Sequence, residues 1–195
     1  MIHPEHINDI IHAIRFLACT DLISFSGIYL IGHSAGALMS GHIMLNPSCL
    51  DSTTKSRVRG VVGVAGIYDI PEMIQVYPDY AEWFIEDAFG ADQDLWKHVS
   101  PQHLSPEFRI DIPYLIIHSK DDELLTENQS IAFARHLKED LKHSKVTLDT
   151  TTVIGKHHDF KLQPSFYTLV DEFISTSEST SKVEPSKPLM FVLDY

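Results

Sequence analysis

A chain of 195 residues is long enough for one domain with a sizeable core, and its formal charge of −12 would repel phosphate backbones and anionic bilayers. Nucleic acid and membrane surfaces are therefore excluded as expected partners, and the acidic balance reads as a solvated surface. A hydrophobic share of 44% against 22% charged residues is that of a globular protein, and no apolar run approaches the roughly 18 residues a spanning helix needs.

The opening MIHPEHINDIIHAIRF lacks the basic-then-apolar layout of a secretory leader. Ile7, Ile10, Ile11, Ile14, Leu17 and Ala18 recur at helical spacing, with Pro4 near the start. Ser26-Gly27 breaks that pattern, and the short apolar run Ile28 to Ile31 reads as a buried parallel strand. After Gly32-His33-Ser34-Ala35-Gly36, a second helix is expected to run to about Asn46-Pro47, and Val58 to Ile67 is a second strand. Residues 69–110, punctuated by prolines and rich in Tyr77, Tyr80, Trp83, Phe84 and Phe89, read as an excursion of short helices. Strands follow at Pro113–His118 and Val146–Thr152, with helices at Thr126–Leu141 and Gln163–Ile174. From Ser175 the composition turns to Ser, Thr, Glu, Lys and Pro, so residues 175–195 are expected to be a disordered tail, its apolar Leu189–Leu193 being given no role. Alternating helices and apolar strands define an α/β fold with a mainly parallel sheet. The two cysteines, Cys19 and Cys49, lie outside any CxxC or Cys/His metal spacing and read as reduced thiols of a cytoplasmic protein.

Ser34 stands in Gly-x-Ser-x-Gly between a strand and a helix. Such a turn is sharp, leaves no room for side chains at Gly32 and Gly36, and holds the serine hydroxyl above the sheet. The helix start behind it places the Ala35 N–H where a tetrahedral oxyanion would form. A serine nucleophile needs a base and the base an orienting acid, in the chain order Ser, Asp or Glu, His. After the third strand Asp121, Asp122 and Glu123 compete for the acid, and after the fourth His157 and His158 compete for the base. Each alone is a common loop residue, but the order and the element boundaries fit.

The stretches IYLIGHSAGALMSGHI, VVGVAGIYDI, VSPQHLSP, IPYLIIHSKDDELL and IGKHHDF resemble the esterase and lipase branch of the α/β-hydrolases, in particular carboxylesterases and kynurenine formamidase-like enzymes, over roughly residues 6–174. The resemblance implies a catalytic triad of Ser34, Asp122 and His158. Asp122 matches the acid of a His-Gly-x-x-Asp-x-x-Val pattern, although Ser119 replaces its glycine. His158 is preferred over His157 because an aspartate and an aromatic follow it. The resemblance also implies that Ala35 serves the oxyanion, that His33 and Tyr68 border the substrate, and that Trp83 and Phe84 line a lid. A small carboxylic ester or N-formyl aryl amide would be the substrate, with no metal or organic cofactor; peptides are a further class, although nothing in the sequence indicates a propeller.

The resembled sheet has about eight strands, with the nucleophile after the fifth. Here one strand precedes Ser34, so the four strands read from the sequence correspond to the last four, making residues 1–174 a partial hydrolase domain. The His-Gly-Gly loop that supplies a second oxyanion donor is absent from the sequence. Two expectations follow. The strand Gly27–Ile31 should be a bare edge inviting self-association, and the first helix should lose much of its packing. A truncated, catalytically weak domain acting by association is the alternative reading.

Overall fold

The computed structural model describes residues 2–20, 27–106, 111–179 and 188–194. In chain order the elements are α1 (Glu5–Cys19), β1 (Ile28–His33), α2 (Ala35–Leu45), α3 (Ser52–Ser56), β2 (Val58–Val64), α4 (Ile70–Val76), α5 (Glu86–Phe89), α6 (Gln93–Val99), β3 (Tyr114–Ile117), α7 (Asn128–Arg135), β4 (Val146–Asp149), α8 (Pro164–Ser179) and β5 (Leu189–Asp194). The five strands form one sheet in the order β4-β3-β2-β1-β5, every pairing parallel. A parallel sheet must be covered on both faces, and the strand residues alternate accordingly. Ile28 and Leu30 of β1 join a core with α1, α2 and α7, whereas Tyr29 and Ile31 face α8 through Phe166, Val170 and Ile174. This is the α/β-hydrolase architecture, and the first four strands and their helices lie where the apolar runs place them.

Helix α2 is buried from Gly36 to Leu45. It is wedged between the sheet and a 3-10 turn at Pro101–His103, where Gly41 meets Pro101 and Phe133. A helix buried on all sides must satisfy its polar residues internally. His42 Nδ1 donates to the Val99 carbonyl at 3.0 Å, and its Nε2 accepts from Asn46 Nδ2 at 3.1 Å. Burial pushes the His42 pKa down to about 4 against the opposing pull of the Val99 carbonyl. The excursion is pinned by Gln129 of α7, whose Oε1 accepts from the N–H groups of Tyr68 and Asp69 at 2.8 Å each.

The structure departs from the sequence reading at the chain's far end. Helix α8 continues to Ser179, and the apolar Leu189–Leu193 stretch is not part of a disordered tail but forms β5, pairing with β1 from Ile28↔Leu189 to His33↔Asp194. The edge expected to be bare is thus covered, and β1 lies between β2 and β5. The physical reason is the β1 ladder itself: its unpaired N–H and C=O groups need a partner, and Leu193, which is 3% exposed, adds burial to that pairing. The first helix also keeps its packing, with Ile7, Ile10, Ile11 and Ile14 buried. The break at Ser26 lies outside the described residues. Among the described residues no helix is long and apolar enough to cross a membrane.

Candidate active site

Ser34 follows β1 at φ 53° and ψ −115°, a left-handed region that a non-glycine residue rarely occupies. The strain is held by hydrogen bonds on both sides: Ser34 N–H donates to the Val64 carbonyl at 2.9 Å, and the Ser34 carbonyl accepts from Ala37 and Ile67 at 3.1 and 3.3 Å. The two glycines fit for different reasons. A Cβ on Gly32 would meet the backbone of Gly36 and Ala37, closing the turn on itself, while one on Gly36 would meet the Leu193 carbonyl of β5. Ala35 and Gly36 begin α2, so their N–H groups have no intrahelical acceptor and sit at the positive end of the helix.

The acid side is built at the ends of β3 and β4. Asp122 has a side chain 1% exposed and receives donors from four residues. Its Oδ1 accepts the N–H groups of Leu124 and Leu125 at 2.9 Å each, and its Oδ2 accepts His157 Nδ1 at 2.8 Å. His118 Nε2 adds a longer contact to Oδ2 at 3.4 Å and also donates to the Leu125 carbonyl. Burial alone would push the Asp122 carboxyl up; the hydrogen bonds from His118, His157 and Leu125 outweigh it and hold the group well below the ordinary carboxylate range. Because Nδ1 of His157 donates to a carboxylate, the lone pair of its neutral ring lies on Nε2. The His157 N–H is fixed in turn by Glu123 Oε2 at 2.9 Å. The His157 ring packs at a tilt against His33, centroids 4.6 Å apart, and His33 Nε2 donates back to the His157 carbonyl at 3.1 Å. The loop bearing the imidazole is thereby locked to the residue immediately before Ser34.

Several expected positions move. Asp122 is the carboxylate brought to an imidazole, while Asp121 is exposed. The imidazole it holds is His157; His158 is exposed and meets His33 and His157 only by ring edges, at 5.1 and 4.9 Å. In this turn successive side chains diverge, and the residue facing β3 is the one before the expected one. Tyr68 does not border an open pocket: it is 2% exposed, stacks on Phe133 at 4.2 Å, and burial raises its phenol pKa far above normal. The short side of the sheet at Gly63 and Gly66 draws that ring into the core. His33 is likewise buried and braces His157 rather than solvent. Trp83, by contrast, is 66% exposed on the excursion, beside Tyr80, whose hydroxyl donates to the Leu124 carbonyl of the acid loop. The sequence reading missed His118, Ser130 and Gln129. His118 ends the β3 run, and its Nδ1 accepts from the Ser130 hydroxyl at 2.8 Å; a polar residue directly closing an apolar strand was the available signal. A groove of about 700 Å³ lined by Leu45, Pro47, His98 and Leu104 lies at the far end of α2, about 16 Å along the helix from Ser34, and is no part of this site.

A parallel sheet with a strained serine at the strand-to-helix turn and an aspartate–histidine pair beyond the next strand ends defines the α/β-hydrolase class. Solved structures agree on the fold. A truncated carbohydrate esterase from gut microbiota superposes with a TM-score of 0.67 at 20% identity, covering 90% of this chain and 70% of that one. Thermogutta terrifontis esterase 2, phosphonylated by sarin, gives a TM-score of 0.62 at 18% identity, covering 92% and 67%. The chain belongs to the prolyl oligopeptidase family, whose model matches residues 4–175. Among curated proteins it is similar to a kynurenine formamidase of Meyerozyma guilliermondii, 29% identical over 80% of this chain and 68% of that protein. A kynurenine formamidase-like hydrolase of Fusarium equiseti is 29% identical over 65% and 44%, and a kynurenine formamidase of Aspergillus versicolor 26% identical over 83% and 64%. The chain thus spans between 44% and 68% of the length of these relatives.

Proposed function

We propose that this chain carries a serine-hydrolase centre for small carboxylic esters and N-formyl aryl amides, with Ser34 as nucleophile, His157 as base and Asp122 as its orienting acid. The observation that carries the reading is the 2.8 Å hydrogen bond from His157 to the buried Asp122, on a loop locked through His33 to the strained turn at Ser34. The similarity to kynurenine formamidases supports the formamide as substrate class.

In the reaction so proposed, His157 Nε2 takes the Ser34 hydroxyl proton as Oγ bonds to the formyl or acyl carbon. The carbonyl oxygen, now negative, is met by the Ala35 N–H at the positive end of α2. Collapse breaks the C–N or C–O bond, and His157 returns its proton to the departing amine or alcohol. Water, deprotonated by the same nitrogen, then attacks the acyl-serine, releases formate or carboxylate and restores the Ser34 hydroxyl. Asp122 keeps Nδ1 protonated throughout and stabilises the imidazolium without accepting its proton.

The test is hydrolysis of p-nitrophenyl acetate and N-formylkynurenine by the purified chain and by Ser34→Ala, alongside labelling with a fluorophosphonate probe. Turnover and labelling that both vanish in Ser34→Ala support the reading. A folded wild-type chain that is neither labelled nor active refutes it and leaves the domain an associating, non-catalytic one.

A further inference from the structure

Asp122, the proposed acid, stands in a loop that is mostly solvated, with Lys120, Asp121, Glu123 and Leu124 exposed. A carboxylate on such a loop keeps one orientation only if a rigid part of the fold holds it. The loop is bounded by two buried residues, His118 at the end of β3, which is 1% exposed, and Leu125. We propose that His118 is a positioning residue of the hydrolase centre, its imidazole fixing the carboxylate that in turn orients His157. The proposal rests on the hydrolase reading above and adds to it a residue that acts through Asp122.

The hydrogen bonds of the His118 ring assign its tautomer. Nε2 faces two acceptors, the Leu125 carbonyl at 3.2 Å and Asp122 Oδ2 at 3.4 Å, so it carries the proton. Nδ1 then holds the lone pair of the neutral ring and accepts from the Ser130 hydroxyl at 2.8 Å. Ser130 is buried on α7, which keeps water from competing for that bond. The His118 main chain is fixed as well, its N–H donating to the Asp149 carbonyl beside it at 3.0 Å. One imidazole N–H therefore faces both the far end of the loop and the same carboxylate oxygen that accepts His157 Nδ1 at 2.8 Å. Leu125 is gripped from both sides, its N–H donating to Asp122 Oδ1 at 2.9 Å and its carbonyl accepting from His118.

Without the imidazole, the Leu125 carbonyl and the Ser130 hydroxyl each lose a buried partner, and the carboxylate is freer to turn. Misplacing a catalytic group by about 1 Å costs on the order of 10²-fold in rate. The place of the donor decides the outcome, which makes substitution diagnostic. A glutamine amide nitrogen lies as many bonds from Cβ as Nε2 and can replace that donor. An asparagine amide nitrogen reaches only to the place of Nδ1.

The experiment compares the full chain with His118→Gln, His118→Asn and His118→Leu. It measures kcat and KM for p-nitrophenyl acetate, and records by NMR the far-downfield proton of His157 Nδ1, identified by its loss in His157→Gln. Turnover should fall roughly 10–100-fold in the Asn and Leu variants with KM within about twofold, and return to within about fivefold of the wild type in His118→Gln. The downfield proton should persist in the wild type and His118→Gln and exchange away in the other two. A merely structural role would lower unfolding midpoints without separating Gln from Asn in kcat or in that resonance. Equal kcat and equal spectra in the Gln and Asn variants overturn the proposal, as does a folded His118→Leu that keeps wild-type turnover and resonance. If His118→Leu does not fold, the Gln and Asn pair decides alone. The two readings fail separately: a folded wild type without turnover refutes the hydrolase centre, while the resonance, read also in Ser34→Ala, still reports whether His118 fixes Asp122 against His157.

Discussion

Lowering the pH from about 7 to about 5 puts a proton within reach of His42, the imidazole that ties the helix after Ser34 to the Val99 carbonyl. In the unfolded chain that ring titrates at its ordinary value of 6.5, whereas burial, with smaller contributions from the charges of His3, His98 and His6, depresses it to about 4 in the fold. Between those values the unfolded state binds more protons, so stability is present above the unfolded pKa and is lost as pH falls towards the folded one. The full difference corresponds to about 3 kcal/mol, of which about 2 kcal/mol is gone by pH 5. His42 is 4% exposed, so solvent screening takes little from this figure. Urea unfolding followed by fluorescence of the buried Trp96 at both pH values should show the midpoint falling by roughly 1 M, given a slope of about 2 kcal/mol/M. His42→Gln should remove most of that pH dependence. Some remains because His3 and His6 are also depressed by burial. A His42→Gln variant that loses as much stability between the two pH values as the wild type refutes the reasoning.

Three other perturbations probe the site and the sheet. His157→Gln should turn over N-formylkynurenine at least about 10³-fold more slowly than His158→Gln in steady-state assays, and equal rates would return the base to His158. Removing residues 188–195 should cost about 3–5 kcal/mol in thermal or urea unfolding, from the lost burial of Leu189, Phe191 and Leu193, and should shift the chain to dimers or larger species by light scattering; an unchanged, stable monomer would deny β5 its place. Gly36→Ala, whose Cβ meets the Leu193 carbonyl, should destabilise by about 1–3 kcal/mol, and the penalty should shrink when residues 188–195 are absent. Additive losses in that double-mutant cycle would count against the contact.

The first four strands could be read from sequence because each is a short run rich in apolar, often β-branched residues: Ile28–His33, Val58–Val64, Tyr114–Ile117 and Val146–Asp149. The serine turn was legible for the same reason, since Gly32 and Gly36 are both forced by backbone contacts. β5 was not. Leu189–Leu193 has the composition of a strand, but it follows a stretch of Ser, Lys, Glu and Pro, and what makes it a strand is the ladder of β1, which is far away in sequence. His157 and His158 are adjacent in an irregular loop with no period to orient them, so the choice between them is made by Asp122 across the sheet end. Tyr68 was misplaced because its position beside the family motif says nothing of Gly63 and Gly66, whose missing side chains draw the ring inward.

The pairing of β5 with β1 also bears on how the molecule is made. Ile28 and its partner Leu189 are separated by about 160 positions, so the strand leading to Ser34 gains its second neighbour after every other described element has been synthesised. Until then a growing chain holds the strained turn at Ser34 on an open sheet edge, the kind of surface that pairs with other chains or engages chaperones. Closure of that edge and completion of the turn's surroundings at Gly36 are one event, which makes the last strand a checkpoint between synthesis and a finished site.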